Sequence, residues 1–554
     1  MNSRFAALFA VVLSLTFLLL AVAPISSACD TFVAMGDVTA NGHVIFGKNS
    51  DRPAFDCQPL LYHSRAEWPA GSTLKLEYIE IPQANVTYAT IGCSPYWCYG
   101  YEMGVSEWGV VAGNEAIWTT TLAVSKQMPP ERGFVGMDLL RIGLERSKTA
   151  HECLQVITSL LEQYGQWGSA EPKAADTDGS YDNSFIIADS TEAWILETAG
   201  KDWIAKRITA GTDSISNAPS LLSDWTEGTL PAGTPFMAVY SDNTQPATLS
   251  GRSRELRSQM LLDQYAQDGI ELRDMMAIAR DHNVSVPGIC MHQIPALNED
   301  ITAGSLMVVL PKQPGEPIEM WWTPVQPCSG IYVPLLFESG KPPEVMSKTG
   351  SQGKTVTAPS AVQADTFNKS SYWWLFKSVC DLGLDAATRA SFDNVEIQFE
   401  SEMAAVKANP ETAPAFTEKC TDTALSTILS AKLQGTDTEK PQVYGVSAKK
   451  GADGKTALSA NFSDDIKVEI SSVKIFVEGN DVTNQSEISS TGFRYVADLP
   501  KTFDLRIELN DVAGNSAIFE QKAKAQSAGA VPGFESALLI LAVCIFFISA
   551  RLRK

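Results

Sequence analysis

Two apolar runs bracket the chain and decide where everything between them has to fold. Phe5 to Ala23 is uncharged, follows one basic residue, Arg4, and leads into Pro24-Ile25-Ser26-Ser27-Ala28. A basic start, an apolar middle and small residues at Ser26 and Ala28 form a secretory signal, residues 1–28, with cleavage before Cys29. The competing reading is an uncleaved anchor, because 19 apolar residues are long enough to span a bilayer. At the far end Val531-Pro532-Gly533-Phe534 precedes a second apolar run, Ala537 to Ala550, and then Arg551-Leu552-Arg553-Lys554. Residues 531–554 therefore read as a C-terminal membrane anchor or a processed tail. The 14-residue run is short for a span, and extending it back to Val531 takes in Glu535. A signal in front and a basic stop behind place the body of the chain outside the cell.

Charge narrows the partners. The 554 residues carry a net −21, and residues 29–530 alone carry −24, because the flanks hold only Arg4, Glu535, Arg551, Arg553 and Lys554. A body this acidic repels phosphate backbones, which argues against nucleic acid as a partner. Setting aside Cys29 and Cys544 leaves eight cysteines, an even number that permits disulfides in an oxidising compartment. Cys93 and Cys98 are close enough in sequence for a local pair, and Cys380 and Cys420 flank helical segments that a bridge could staple. No C-x-x-C and no paired Cys/His spacing points to zinc, and His43, His63, His151, His282 and His292 are scattered. No metal site and no organic cofactor are expected. Five N-x-S/T tripeptides, at Asn85, Asn283, Asn368, Asn461 and Asn484, suit an exported chain.

The pattern of apolar residues is mixed. Thr31 to Gly36 and His43 to Lys48 are short β-prone runs joined through Asn41-Gly42, a hairpin signal because its turn needs positive φ. A second β region runs from Tyr88 to Gly113. Gly136 to Tyr164 shows helical spacing over its whole length, through Leu139, Leu140, Leu144, Leu154, Ile157 and Leu161. Phe185 to Ala188, Ala193 to Glu197 and Trp203 to Ile208 read as a meander, followed by helices at Ser253 to Asp268 and Leu272 to His282. Strands return at Ser305 to Leu310 and Glu319 to Thr323, then a surface loop, Ser347 to Ala364, and helices from Tyr372 to about Leu433. Residues 435–441 form a polar linker, and residues 442–525 alternate β-branched runs with Asn, Asp and Gly turns, the pattern of a small Ig-like β-sandwich. The order argues α+β. The Trp pairs at 321/322 and 373/374 read as core, and Asp176-x-Asp178-Gly179 as a surface turn without the spacing of a calcium loop.

Cys29 stands out chemically. A cysteine freed as first residue carries a thiol beside an α-amine, and the amine can take the thiol's proton near neutral pH without a histidine. The rival readings are a lipid-bearing cysteine and a structural one, although a lipobox has Leu three residues earlier where this chain has Ser26. The run from Cys29 to Pro53, CDTFVAMGDVTANGHVIFGKNSDRP, resembles the dipeptidase-A/secernin family of N-terminal-nucleophile (Ntn) cysteine hydrolases, peptidase family C69, which is related to choloylglycine hydrolase and penicillin V acylase. Further matching segments follow in order: GVSEWGVVAGNEA (Gly104 to Ala116), GMDLLRIGLERSKTA (Gly136 to Ala150), YDNSFIIADSTEAWILETAG (Tyr181 to Gly200), SISN (Ser214 to Asn217) and ICMH (Ile289 to His292). The tail at Pro532-Gly533-Phe534 resembles the sorting tails of archaeal surface proteins.

The family resemblance implies an αββα sandwich over residues 29–434 and a division of labour among six residues. Cys29 is the nucleophile and its own amine the base. Asp51 matches the aspartate that hydrogen-bonds that amine. Lys48 stands where the acylase relatives have an arginine, a cation beside the thiol but without the bidentate fork. Asn114, through its backbone N–H, and Asn217, through its side-chain amide, match the oxyanion donors. Arg254 matches an arginine of the acylases, with Arg252 and Arg257 equally placed on the same helix. The reading is a surface-anchored cysteine peptidase acting on dipeptides, with small peptides as partners and membrane contact through the C-terminal anchor. Its rivals are an N-acyl amidohydrolase and a non-catalytic adhesion or lipoprotein.

Overall fold

The computed structural model describes residues 29–282, 288–293, 299–313, 315–380, 384, 386–433, 440–451, 454–464, 468–489, 491–511 and 515–527. The expected signal, 1–28, and the expected anchor, 531–554, lie outside the described residues. Among the described residues no helix is long and apolar enough to cross a membrane. The chain divides into two compact units, Met1–Ile428 and Leu429–Lys554.

The first unit is built on two antiparallel sheets. One has six strands in the order Thr212–Ile215, Asp30–Ala34, Ile45–Pro53, Asp300–Val309, Glu319–Pro324 and Val333–Leu336. The other has eight, with Val111–Ile117 and Asp182–Ala188 at its centre. Asp30–Ala34 faces these two central strands across the gap between the sheets. Helices Gly136–Glu145 and Ala150–Tyr164 cover the outside of the eight-stranded sheet, and Pro246–Tyr265 and Leu272–Ala279 cover the outside of the six-stranded one. The result is a mixed α+β unit in four layers, helix, sheet, sheet, helix. Leu139, Leu154, Ile157 and Leu161 pack with Phe185 and Leu196 to form the apolar layer under the first helix pair.

The hairpin at Asn41-Gly42 forms, with Phe32 opposite Gly47 and Gly42 at φ +75°. The single long helix read over Gly136 to Tyr164 is instead two. Thr149 accepts the Glu152 N–H as an N-cap and Ser147 bonds back to Gly143 O, so the chain stops and restarts between 146 and 149. The helix read from Ser253 begins earlier, at Pro246, which occupies the first-turn position where a missing N–H costs nothing. Trp321, Trp322 and Trp373 are fully buried, as core residues. Asp176–Gly179 is one helical turn whose Asp176 pairs with Arg132. No disulfide joins the described cysteines, so neither the Cys93–Cys98 nor the Cys380–Cys420 pair forms. Cys98 faces Asp138 instead, and Cys93 lies in a strand opposite Leu60.

The second unit contains a five-stranded and a four-stranded sheet. Strand Thr502–Asp511 alternates strictly at its start, with Phe503, Leu505, Ile507 and Leu509 turned inward to meet Leu458 and Phe462 of the other sheet. Period-two alternation thus produces a small β-sandwich.

Candidate active site

Pleating sorts the residues around Cys29. Successive side chains of a strand point to opposite faces, so Cys29 and Thr31 look into the gap between the sheets while Asp30 looks toward the helix Pro246–Tyr265. In the gap, Thr31 Oγ1 donates to Glu115 Oε1, and Lys48 Nζ reaches Glu115 Oε2 at 2.8 Å and Asn114 O at 2.5 Å. Lys48 and Glu115 are both fully buried, an ion pair taken out of water and satisfied by further hydrogen bonds. The sheets come this close because residue 113 is glycine. A Cβ there would sit 2.5 Å from the Lys48 side chain.

On the other face the network is equally closed. Arg254 Nη1 donates to Asp30 Oδ2 at 2.6 Å and to Cys29 O at 3.1 Å, and Arg254 Nη2 donates to Asn217 Oδ1 at 2.7 Å. Asn217 Oδ1 also accepts the Cys29 N–H at 2.5 Å, and Asn217 Nδ2 donates to Ala116 O at 2.7 Å. Two donors aimed at one atom of the amide identify that atom as the oxygen. Gly251 permits the approach, since a Cβ would lie 2.6 Å from the Asn217 backbone. Of the three arginines on this helix, Arg254 alone touches Cys29; Arg252 donates to Ser241 Oγ and Arg257 pairs with Asp281 at 2.6 Å.

Asp51 sits differently from the expectation. Its backbone N–H donates to Cys29 Sγ at 3.2 Å, while its carboxylate accepts from Thr302 Oγ1 at 2.6 Å. The nitrogen of Cys29 is held by Asn217 Oδ1, where the resemblance assigned it to the Asp51 carboxylate. The reason is the pleat: Asp51 shares a face with Asn49, toward the helices, and Cys29 Sγ is on the other. Asp51 Oδ2 remains buried with no hydrogen-bond partner among the described residues. Asn114 Nδ2 donates to Asn183 Oδ1, and its backbone N–H meets Glu102 O only at 3.4 Å.

Burial pushes the Cys29 thiol well above its ordinary range, with Glu115, Glu102 and Asp51 adding to the rise and Lys48 opposing it. Burial also raises Asp51, reinforced by the nearby Asp30. Burial alone would lower Lys48, but the charges of a Cys29 thiolate when it forms, and of Glu115 and Glu102, outweigh it and raise the ammonium above its ordinary value. Glu115 is pushed up to about 7 by burial, against the pull of Lys48. The thiol therefore rests protonated beside a fixed cation that stabilises its thiolate.

Residues 28–223 match the family model described as Peptidase family C69, a segment that opens one residue before Cys29 and includes Lys48, Asp51, Asn114 and Asn217. The match covers 196 of the 554 residues, and over that segment the chain is similar to peptidase family C69. Among solved structures, the chain is similar to a variant of conjugated bile acid hydrolase from Clostridium perfringens, at 13% identity over 59% of this chain and 98% of that one, with a TM-score of 0.37. A Caenorhabditis elegans ortholog of N-acylethanolamine-hydrolyzing acid amidase matches at 13% identity over 52% of this chain and 94% of that one, with a TM-score of 0.26.

Four members of this network escaped the sequence reading: Asp30, Glu115, Asn183 and Thr302. Asp30 and Glu115 directly follow Cys29 and Asn114, so their signal was adjacency to a named residue. Asn183 and Thr302 had none, because strand pairing alone brings them in. Two of the histidines expected to be scattered, His282 and His292, lie together. His282, Cys290, His292 and Cys328 offer ligand atoms that all lie within 4.8 Å of one another.

Proposed function

We propose that this protein is an exported, surface-anchored cysteine peptidase of the C69 type that hydrolyses dipeptides, with Cys29 as the first residue of its mature chain. The observation that carries the reading is that the thiol and the nitrogen of one residue, Cys29, enter the same buried network, through Asp51 N–H and Asn217 Oδ1. Cleavage before Cys29 turns that nitrogen into an amine with further hydrogens, and Asp51 Oδ2 is a buried acceptor without a partner among the described residues. The amine takes the thiol proton, the thiolate attacks the peptide carbonyl, and the amine returns the proton to the leaving nitrogen. Water then hydrolyses the thioester with the same amine as base.

The developing oxyanion needs donors. Asn217 Nδ2 carries two hydrogens and spends one on Ala116 O, leaving the second for the substrate oxygen. The Asn114 N–H, weakly held by Glu102 O at 3.4 Å, is the second donor. Arg254 and Lys48 position the site, the first by fixing Cys29 O and Asn217, the second by favouring the thiolate. Export rests on the signal pattern of residues 1–28, and anchoring on residues 531–554, behind an Ig-like module formed by the β-sandwich of the second unit. A panel of dipeptides set against N-acyl amides tests the substrate. Dipeptide turnover that disappears in Cys29→Ala is expected; turnover of N-acyl amides alone would overturn the peptidase reading.

A further inference from the structure

The expected scatter of histidines and cysteines hides a second centre in the first unit. His282 follows the helix Leu272–Ala279, Cys290 and His292 lie on the segment leading to strand Asp300–Val309, and Cys328 sits in the turn after Glu319–Pro324. Their ligand atoms converge. His292 Nε2 lies 3.1 Å from His282 Nε2, 3.6 Å from Cys290 Sγ and 3.2 Å from Cys328 Sγ. A ring nitrogen has one proton or one lone pair, so it can serve one of these three neighbours by hydrogen bonding and not all of them. Four lone-pair donors crowded around one point are explained by a cation at that point.

The spacing fits a particular cation geometry. Zinc takes thiolate and imidazole ligands at about 2.3 and 2.0–2.1 Å in a tetrahedron, which places N–N edges at about 3.3 Å and S–N edges at about 3.6 Å. The three measured separations fall within a few tenths of an ångström of those edges. Two thiolates and two neutral imidazoles also balance a divalent charge, and this donor set selects zinc-type ions over the oxygen-seeking magnesium and calcium.

We propose that His282, Cys290, His292 and Cys328 form a closed, four-ligand site for a divalent zinc-type cation, distinct from the Cys29 centre. Four protein ligands leave no open position, so the site is structural. Its surroundings are built to hold the ligands in place. Arg389 Nη1 donates to Gly330 O at 2.7 Å and Cys328 O at 3.2 Å, and Arg280 Nε donates to Pro327 O at 2.9 Å, so two arginines pin the Cys328 turn. Cys290 N–H donates to Asp281 O at 3.0 Å, closing the segment between the first two ligands.

The site also reaches the peptidase centre through backbone. Asn49 Nδ2 donates to Ile289 O at 2.8 Å, and Met291 N–H donates at 2.8 Å to Thr302 Oγ1, the hydroxyl that itself donates to Asp51. The cation is thus a clasp that orders the segment behind Asp51, and its ligands act on the reaction only by positioning.

The test uses the full chain without a polyhistidine tag, dialysed against metal-free buffer and analysed by mass spectrometry for metals. One zinc-type ion per chain is expected, falling below a tenth of an ion in His292→Ala and Cys328→Ser and unchanged in His151→Gln. Because a ligand variant can fail to fold, the wild-type protein is also exchanged into cobalt. The visible bands of tetrahedral cobalt and a thiolate charge-transfer band are expected. A wild-type protein that takes up neither zinc nor cobalt overturns the proposal, and so does a proteolytic peptide pair cross-linked by a Cys290–Cys328 disulfide.

Discussion

The first unit holds two sulfur centres whose surroundings differ in nearly every respect. Cys29 is buried between acidic groups and one cation, and burial keeps its thiol protonated at rest. Cys328 is half-buried and sits among Cys290, His282 and His292; the hydrogen bond from the Cys290 thiol, aided by the two imidazoles, drives its own thiol far below the ordinary range. One centre needs a proton acceptor to become reactive, while the other presents converging lone pairs that suit a metal. Residue type alone does not separate the two roles. The neighbours that the fold brings to each sulfur do.

The sharpest way to break this contrast is to remove each sulfur in turn. Cys29→Ala is expected to lower turnover by at least about 10³-fold, because the nucleophile is gone, with an unchanged circular dichroism spectrum. If Cys328→Ser abolished turnover with an unchanged circular dichroism spectrum while Cys29→Ala did not, the two centres would have been assigned the wrong way round. Next in size is Arg254→Ala, which leaves Asp30 buried without its partner and is expected to cost about 3–5 kcal/mol in chemical denaturation. Arg257→Ala, at a partly exposed pair, is expected to cost under about 1 kcal/mol.

Lys48→Met sharpens the comparison through pH. The Lys48 charge is what lowers the Cys29 thiol against burial, so its loss raises that thiol further and moves the acid limb of kcat/KM to higher pH. A displacement of about one unit, roughly tenfold in rate at neutral pH, is expected from stopped assays across the pH range, and Lys48→Arg restores most of it. An unmoved profile in Lys48→Met would remove Lys48 from the positioning role.

The smallest effect is on stability. Burial pushes Glu197 up to about 7 from 4.5 and Asp182 up to about 6 from 3.8. Between the ordinary and raised values the folded state binds more protons than the unfolded state. These groups therefore contribute stability that is complete below about pH 4 and lost as pH rises through 6 to 7. Calorimetry is expected to give a Tm about 2–4 °C higher at pH 5 than at pH 8.

The legible part of this molecule was local. The Asn41-Gly42 hairpin, the meander and the alternating strands of the second unit follow from turn chemistry and period-two patterning. Cys29 was readable from the signal pattern before it, and Lys48 and Asp51 from the resemblance of the run Cys29 to Pro53, whose hairpin brings them beside it. The break between 145 and 150 was missed because Ser147 and Thr149 act as caps inside a run whose apolar spacing stays helical across the gap. Thr302, and the convergence of His282 with Cys328, depend on contacts between distant segments, and no spacing in the sequence encodes them. Asp51 shows the same limit on a finer scale, since its position was anticipated but the side of the sheet its carboxylate faces was set by the pleat.

The central claim is that Cys29 acts as the first residue of the mature chain. Intact-mass measurement with N-terminal sequencing of catalytically active protein tests it most directly. The account predicts a free α-amine on Cys29 in every active molecule; full activity in protein that retains residues before Cys29, or whose Cys29 amine is blocked, would contradict it.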